Sequence, residues 1–275
     1  MRMRASQYVL EMSEPIRVGL TIVAGVLTGM LSGAFGAGGG VVSTPAIRLL
    51  GASALDSVGS TLPPIFPSAI AGGLRYHRQG FVQWGAVRRL VLVGMPSAAG
   101  FAWLGHQIPG DGHVLMLITA LLVAITGYRM LTQREPKGLD SIAPETPAEP
   151  QAPKGVPTWV GICAGGMSGL LGIGGGVIMV PVLVNRISFP IKLALGTSLV
   201  SAGCFAVPAT ITHWSLGGID WSFAIPLAIG VIPGSRIGSA LSIRADAERL
   251  RAAVSIFLML VAAVLATREL IDWLG

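Results

Sequence analysis

The chain has 275 residues, of which 52% are hydrophobic and 12% charged, against about 25% charged in ordinary soluble domains. With a mean hydropathy of +0.71, that composition excludes a soluble domain with a single anchor and predicts an integral membrane protein. The formal net charge of +6 does not predict a nucleic-acid partner, because Lys and Arg concentrate in short loops between apolar runs, the pattern that orients membrane proteins.

Residues 1–17 form a polar N-terminal tail, too short for a signal peptide with its own apolar core, so the first apolar run is expected to be retained. Nearly charge-free runs follow at 18–47, 55–74, 90–104, 114–128, 156–185, 193–216, 223–235 and 252–267. A crossing helix needs about 20 mostly apolar residues, fewer where flanking charges snorkel. Runs on this scale predict an all-α, polytopic bundle with the lipid bilayer as its surroundings. Residues 18–131 make a first transmembrane repeat and 157–275 a second. Between them, 132–156 read as an aqueous linker, since Pro136, Pro144, Pro147, Pro150 and Pro153 among Glu135, Asp140, Glu145 and Glu149 cannot bury apolar surface.

Each repeat carries the same glycine-rich segment. The first reads Ser32-Gly33-Ala34-Phe35-Gly36-Ala37-Gly38-Gly39-Gly40-Val41-Val42-Ser43-Thr44-Pro45. The second, offset by 136 positions, reads Ser168-Gly169-Leu170-Leu171-Gly172-Ile173-Gly174-Gly175-Gly176-Val177-Ile178-Met179-Val180-Pro181. Beyond it the offset becomes 137: Ser57-Val58-Gly59-Ser60-Thr61-Leu62 aligns with Ala194-Leu195-Gly196-Thr197-Ser198-Leu199, and Gly80 to Trp84 with Gly217 to Trp221. The halves are read as products of one duplication. Glycine-interrupted apolar segments at matching places in two halves are the best sequence pointer to a transporter's binding site.

Two topologies follow. Four full crossings per half give parallel halves. If each glycine motif is instead the tip of a re-entrant hairpin, each half has three crossings plus a hairpin, and the halves are inverted. The totals of cytoplasmic Lys and Arg barely differ. The second half favours inversion, because it brings Arg186, Lys192, Arg244, Arg249 and Arg251 to the side of Arg75, Arg78, Arg88 and Arg89.

The chemistry expected of the motif is anion binding. Glycine allows close approach of a ligand to the main chain, and unwound backbone at membrane depth is tolerated where protein or a cavity surrounds it. Helices restarting after Gly40 and Gly176 would present free N–H groups and positive dipole ends, which favour an anion. The candidate binding residues are Ser32, Gly36, Gly38, Gly39, Gly40 and Ser43 in the first half, with Ser168, Gly172, Gly174, Gly175 and Gly176 in the second. Thr61, Thr197 and Ser198 are added as hydroxyls lining a path, although such groups also bond back to helix carbonyls. Arg236 is added as a cation inside an apolar run, although it can also snorkel to the interface. The competing reading of the glycines is tight helix packing. A phosphate-binding loop is excluded by the missing Gly-Lys-Ser/Thr.

His77 and His213 stand near helix exits, with a proton relay as the functional alternative to an interface role. Asp56 and Asp220 read as helix caps or interface residues. Cys163 and Cys204 have no CxxC spacing, and no catalytic or metal-ligating constellation appears, so neither an enzyme nor a cofactor is predicted.

The paired Gly-x-Gly-Gly-Gly-x-x-x-x-Pro motifs, the duplicated halves and the acidic, proline-rich linker resemble the TauE/SafE sulfite exporter family over nearly the whole chain. The departure is Ser43-Thr44, where that family more usually has an apolar pair. The resemblance implies a secondary transporter of the bacterial inner membrane, an exporter of sulfite or organosulfonates working by alternating access around the glycine loops. An anion channel and a membrane biogenesis factor without transport activity are the alternatives, and the sequence leaves homo-oligomerisation open.

Overall fold

The structure is a computed structural model. It describes residues 14–36, 38–107, 156–187 and 189–244, with scattered helical positions between 117 and 132 and between 256 and 267. Most of the linker and the N-terminal tail up to residue 13 lie outside the described residues. Among the described residues the fold is helical, with no strand.

Helix α1, Glu14–Phe35, begins with a Glu14–Arg17 ion pair at 2.8 Å and ends where the glycine loop begins. Helix α2, Gly40–Leu49, restarts the chain in the opposite sense. Its residue Ile47 packs with Ala24 of α1 and with Phe223 and Leu227, so α1 and α2 form a hairpin open at that end. Helix α3, Ala54–Ser60, starts on a serine N-cap, with Ser53 Oγ accepting from the Asp56 N–H at 3.0 Å. Helix α4, Leu62–Arg78, continues the same crossing after a break at Thr61. Pro63 and Pro64 account for the break, since neither has an N–H to bond back into α3. Helix α5 is Trp84–Gly105.

The second half follows with α6, Thr158–Leu171, and α7, Gly176–Asn185. Leu183 of α7 and Val160 of α6 share a core with Ala86 and Leu90 of α5, so this second hairpin opens at the other end of the bundle. Helix α8, Ile191–Ser215, is unbroken, and α9, Trp221–Arg244, starts with Asp220 Oδ1 accepting from Ser222 N–H at 2.9 Å.

Helices α1, α8 and α9 are each long and apolar enough to cross a bilayer. The enclosed share of their apolar windows, 67% for α8 against 39% for α1 and 50% for α9, puts α8 at the centre. Outward-facing Ile16, Leu20, Val23 and Leu27 form one stripe along α1, a surface suited to lipid and not to water.

Small residues bring the helices together. Along α1, a Cβ on Gly25, Gly29 or Gly33 would strike the backbone of α9 at Leu227, Val231 or Ser235. Reciprocally, Gly230, Gly234 and Gly238 of α9 meet the backbone of α1. Gly161, Gly165 and Gly169 of α6 meet α5 in the same way. This is small-residue packing at four-residue spacing. It accounts for Gly33 and Gly169 but not for the glycines that follow them.

Candidate functional site

Between α1 and α2 the backbone takes left-handed conformations at Gly36, Gly38 and Gly39 (φ 63°, 81° and 83°), and between α6 and α7 at Gly172, Gly174 and Gly175 (φ 67°, 81° and 70°). Side-chain-bearing residues are strained there. The two loops meet: a Cβ on Gly38 would lie 2.9 Å from Gly174 Cα, and the reverse distance is the same. A Cβ on Gly40 would run into the Gly172 carbonyl. Gly39 and Gly175 occupy the N-cap positions of α2 and α7 and have no side chain with which to cap them.

Hydroxyls grip both loops. Thr61 Oγ1 lies 2.8 Å from the Val58 carbonyl, 3.3 Å from the Gly172 carbonyl and 3.3 Å from Thr44 Oγ1. Ser198 Oγ donates to the Gly36 carbonyl at 2.8 Å. Ser68 Oγ donates to Ser32 Oγ at 3.1 Å, and Ser43 Oγ donates to the Gly39 carbonyl at 3.3 Å. Ser168 Oγ is buried with no partner among the described residues. Thr197 is buried, and its hydroxyl accepts from the Gln83 N–H at 3.0 Å. Arg236 is not brought to the loops at all: its side chain is exposed on α9, and its carbonyl faces Arg75.

Beside the first loop is a narrow crevice with no room for a water molecule. Thr28, Gly38, Gly39, Ser43, Thr61 and Ser68 line it, with Pro64, Ile65 and Val231 as apolar wall. Among the described residues no charged side chain lines it. Thr28 is 2% exposed, and its Oγ1 has no partner among the described residues. The equivalent place in the second half is filled. Under the sequence offsets Thr28, Ser43 and Ser68 correspond to Ala164, Met179 and Phe205, which pack together with Ala202 in the main apolar core. Gly175 packs against the Ala164 backbone, where the nearest neighbours of a Cβ on Gly39 would be the side chains of Thr28 and Ser32.

The sequence therefore indicated the loops and the hydroxyls on them, but not Thr28 or Ser68. The available signal was helical spacing: Thr28 stands one turn before Ser32, and Ser68 seven residues after Thr61 on the same face.

A family model described as Sulfite exporter TauE/SafE matches residues 21–265. A probable membrane transporter protein of Xylella fastidiosa (strain 9a5c) is 29% identical over 234 residues, covering 84% of this chain and 87% of that protein. The probable membrane transporter protein YunE of Bacillus subtilis (strain 168) is 22% identical over 260 residues, covering 88% and 94%. No solved structure matches the chain.

Proposed function

The chain belongs to the sulfite exporter TauE/SafE family, and from that premise we propose that this integral membrane protein is a multi-pass secondary carrier of the bacterial inner membrane. Its substrates are small sulfur-containing anions such as sulfite or organosulfonates, exported by alternating access around the paired glycine loops. The single observation that carries the reading is the polar, uncharged crevice at the first loop. There an uncapped helix start and the unpaired Thr28 hydroxyl converge. An N-terminal helix end with free N–H groups suits an anion, and neutral donors hold it without a fixed countercharge that would retard release.

The residues that would hold the substrate are Thr28, Gly38, Gly39, Gly40, Ser43, Thr61 and Ser68, with Ser32 and Ser198 holding the loops in shape. On the second side, Gly172, Gly174, Gly175, Gly176 and Ser168 act as the rigid counterpart on which the first loop rests. Arg236 is left with a role at the protein surface. The crevice is too tight for a sulfur oxyanion, so this conformation is the closed one, and substrate entry requires the hairpins to separate.

Two inverted homologous halves supply the moving parts. Contacts at aligned positions support this. Thr61 reaches the second loop as Ser198 reaches the first, and Ser60 accepts from Asp220 N–H as Thr197 accepts from Gln83 N–H. The hairpins opening at opposite ends support it too.

A melting panel on purified protein tests the substrate class, because a ligand that binds only the folded state raises stability with concentration. Sulfite and sulfoacetate are expected to raise the melting temperature in a saturable way, and chloride is not. Equal stabilisation by all three anions, or by none, would count against it.

A further inference from the structure

We propose that His106 and His213 form a binding site for a single proton, which couples this chain's transport cycle to the proton gradient. The coupling rests on the carrier reading above; the proton site does not. His213 lies near the end of α8 and is 1% exposed. Its Nε2 is 2.9 Å from the Gly169 carbonyl. A carbonyl only accepts, so Nε2 carries the hydrogen and Nδ1 is left as a bare lone pair. His106, just past α5, places Nδ1 3.2 Å from the Ala102 carbonyl, which by the same logic leaves Nε2 bare. Both bare nitrogens are buried without partners among the described residues.

The two rings are 4.8 Å apart, centroid to centroid. Their bare nitrogens look at one spot: they lie 2.7 Å (His106 Nε2) and 3.5 Å (His213 Nδ1) from where a Cβ on Gly218 would sit. A Cβ on Gly59 would also lie 3.3 Å from His213 Nδ1. Two acceptors with no donor between them are unsatisfied as they stand. One added proton turns one ring into a donor for the other, directly or through a water held at the glycines. A second proton would set two cations side by side in the interior, so the site takes one.

The charged groups on the surrounding elements are otherwise engaged. Asp56 on α3 accepts from Ser53 Oγ at 2.6 Å. Asp220, on the turn from α8 to α9, accepts from Ser222 N–H. On α8, Lys192 donates to the Ile243 carbonyl at the far end. On α6 the titratable residue is Cys163, which is exposed. Arg88 and Arg89 are near the other end of α5. No carboxylate bonds to either ring among the described residues.

The link to transport is the bond to Gly169. That residue is one turn before Gly172, so the proton site holds α6 at the point where it enters the second glycine loop. His106 holds the end of α5, against which Gly169 packs.

The test uses protein labelled with nitrogen-15 in its four histidines, in lipid nanodiscs. His106→Asn and His213→Gln each keep the nitrogen that bonds the carbonyl and delete the bare one. The ring spectra are expected to show the Nδ1–H form for His106 and the Nε2–H form for His213. Both rings should shift at one shared midpoint on acidification, and each substitution should move the remaining ring's midpoint. Independent midpoints, unchanged by the substitutions, would overturn the proton site.

In proteoliposomes, an imposed pH gradient is expected to change wild-type sulfite flux by about fivefold or more, the low end for coupled sites. Both variants should keep anion exchange and lose that response. Variants that keep the full response would overturn the coupling. A wild type with no sulfite flux would count against the carrier reading alone, and the ring spectra would still decide the pair.

Discussion

Thr28 carries a hydroxyl buried in the crevice with nothing to bond to among the described residues, and leaving such a group unsatisfied costs about 1–3 kcal/mol. Thr28→Val removes the hydroxyl at nearly constant shape. It is expected to leave the melting temperature equal or raised while weakening sulfite binding about tenfold, the value of one hydrogen bond to a charged group. Unchanged affinity in a binding titration would remove Thr28 from the site. Gly39→Ala acts through the backbone, because φ there is 83° and a left-handed L-residue costs roughly 1–2 kcal/mol. Its Cβ would also sit 3.0 Å from Thr28 Cγ2, inside the crevice. Flux is expected to be lost from protein that still inserts and folds. Gly175→Ala should be worse for folding, because its Cβ meets the Ala164 backbone instead of side chains; solubilised yield and melting temperature compare the two. At this scale the sequence was informative where the pattern was doubled: both glycine runs and Ser32, Thr61 and Ser198 were legible that way, and Ser43 through its place in the first glycine segment. Thr28 and Ser68 were not, because their partners in the second half are Ala164 and Phe205, so the repeat gave no signal there. Ser43-Thr44, visible as a departure from the family pattern, turns out to belong to the polar side.

Among the elements, the α1–α9 contact depends on glycine at four-residue spacing. A Cβ on Gly29 would lie 2.8 Å from Ser235 N and 2.9 Å from Val231 Cα, backbone atoms that no rotamer change can move aside. Gly29→Ala is expected to force the helices apart and to cost about 1–3 kcal/mol, as overpacking does. Gly100→Ala on α5 is the control: nothing lies within 4 Å of its Cβ, so a neutral effect or a gain of up to about 1 kcal/mol is expected from helix propensity. Thermal melts in one detergent check both, and equal effects would contradict the close-packed contact. The apolar runs showed that these helices exist but not how they pair, since pairing joins α1 to α9 and α5 to α6 across the chain. The break at Thr61 was also unread, although Pro63-Pro64 marks it and α8, with Val200-Ser201 at the equivalent positions, continues unbroken.

For the whole molecule, the question the sequence left open is the relation of the halves. Tyr76 packs against Gly196, near the start of α8, and Lys192 bonds the Ile243 carbonyl near the end of α9. The basic ends of α4, α8 and α9 therefore share one side, as inverted halves require. With Cys163 and Cys204 replaced, single cysteines at Gln79 and Arg186 are expected to label from the same face of oriented vesicles, and one at Leu216 from the opposite face. Gln79 and Arg186 labelling from opposite faces would favour the parallel arrangement. Charge counts alone did not decide this, because inverted and parallel threading gave nearly equal totals. The most direct test of a carrier built on the glycine loops is counterflow of radiolabelled sulfite in proteoliposomes, run side by side with wild type and Gly39→Ala. Saturable exchange is expected in the wild type, inhibited by organosulfonates and absent from the variant. Exchange that survives Gly39→Ala intact, or wild-type flux that never saturates, would contradict a carrier built on the glycine loops.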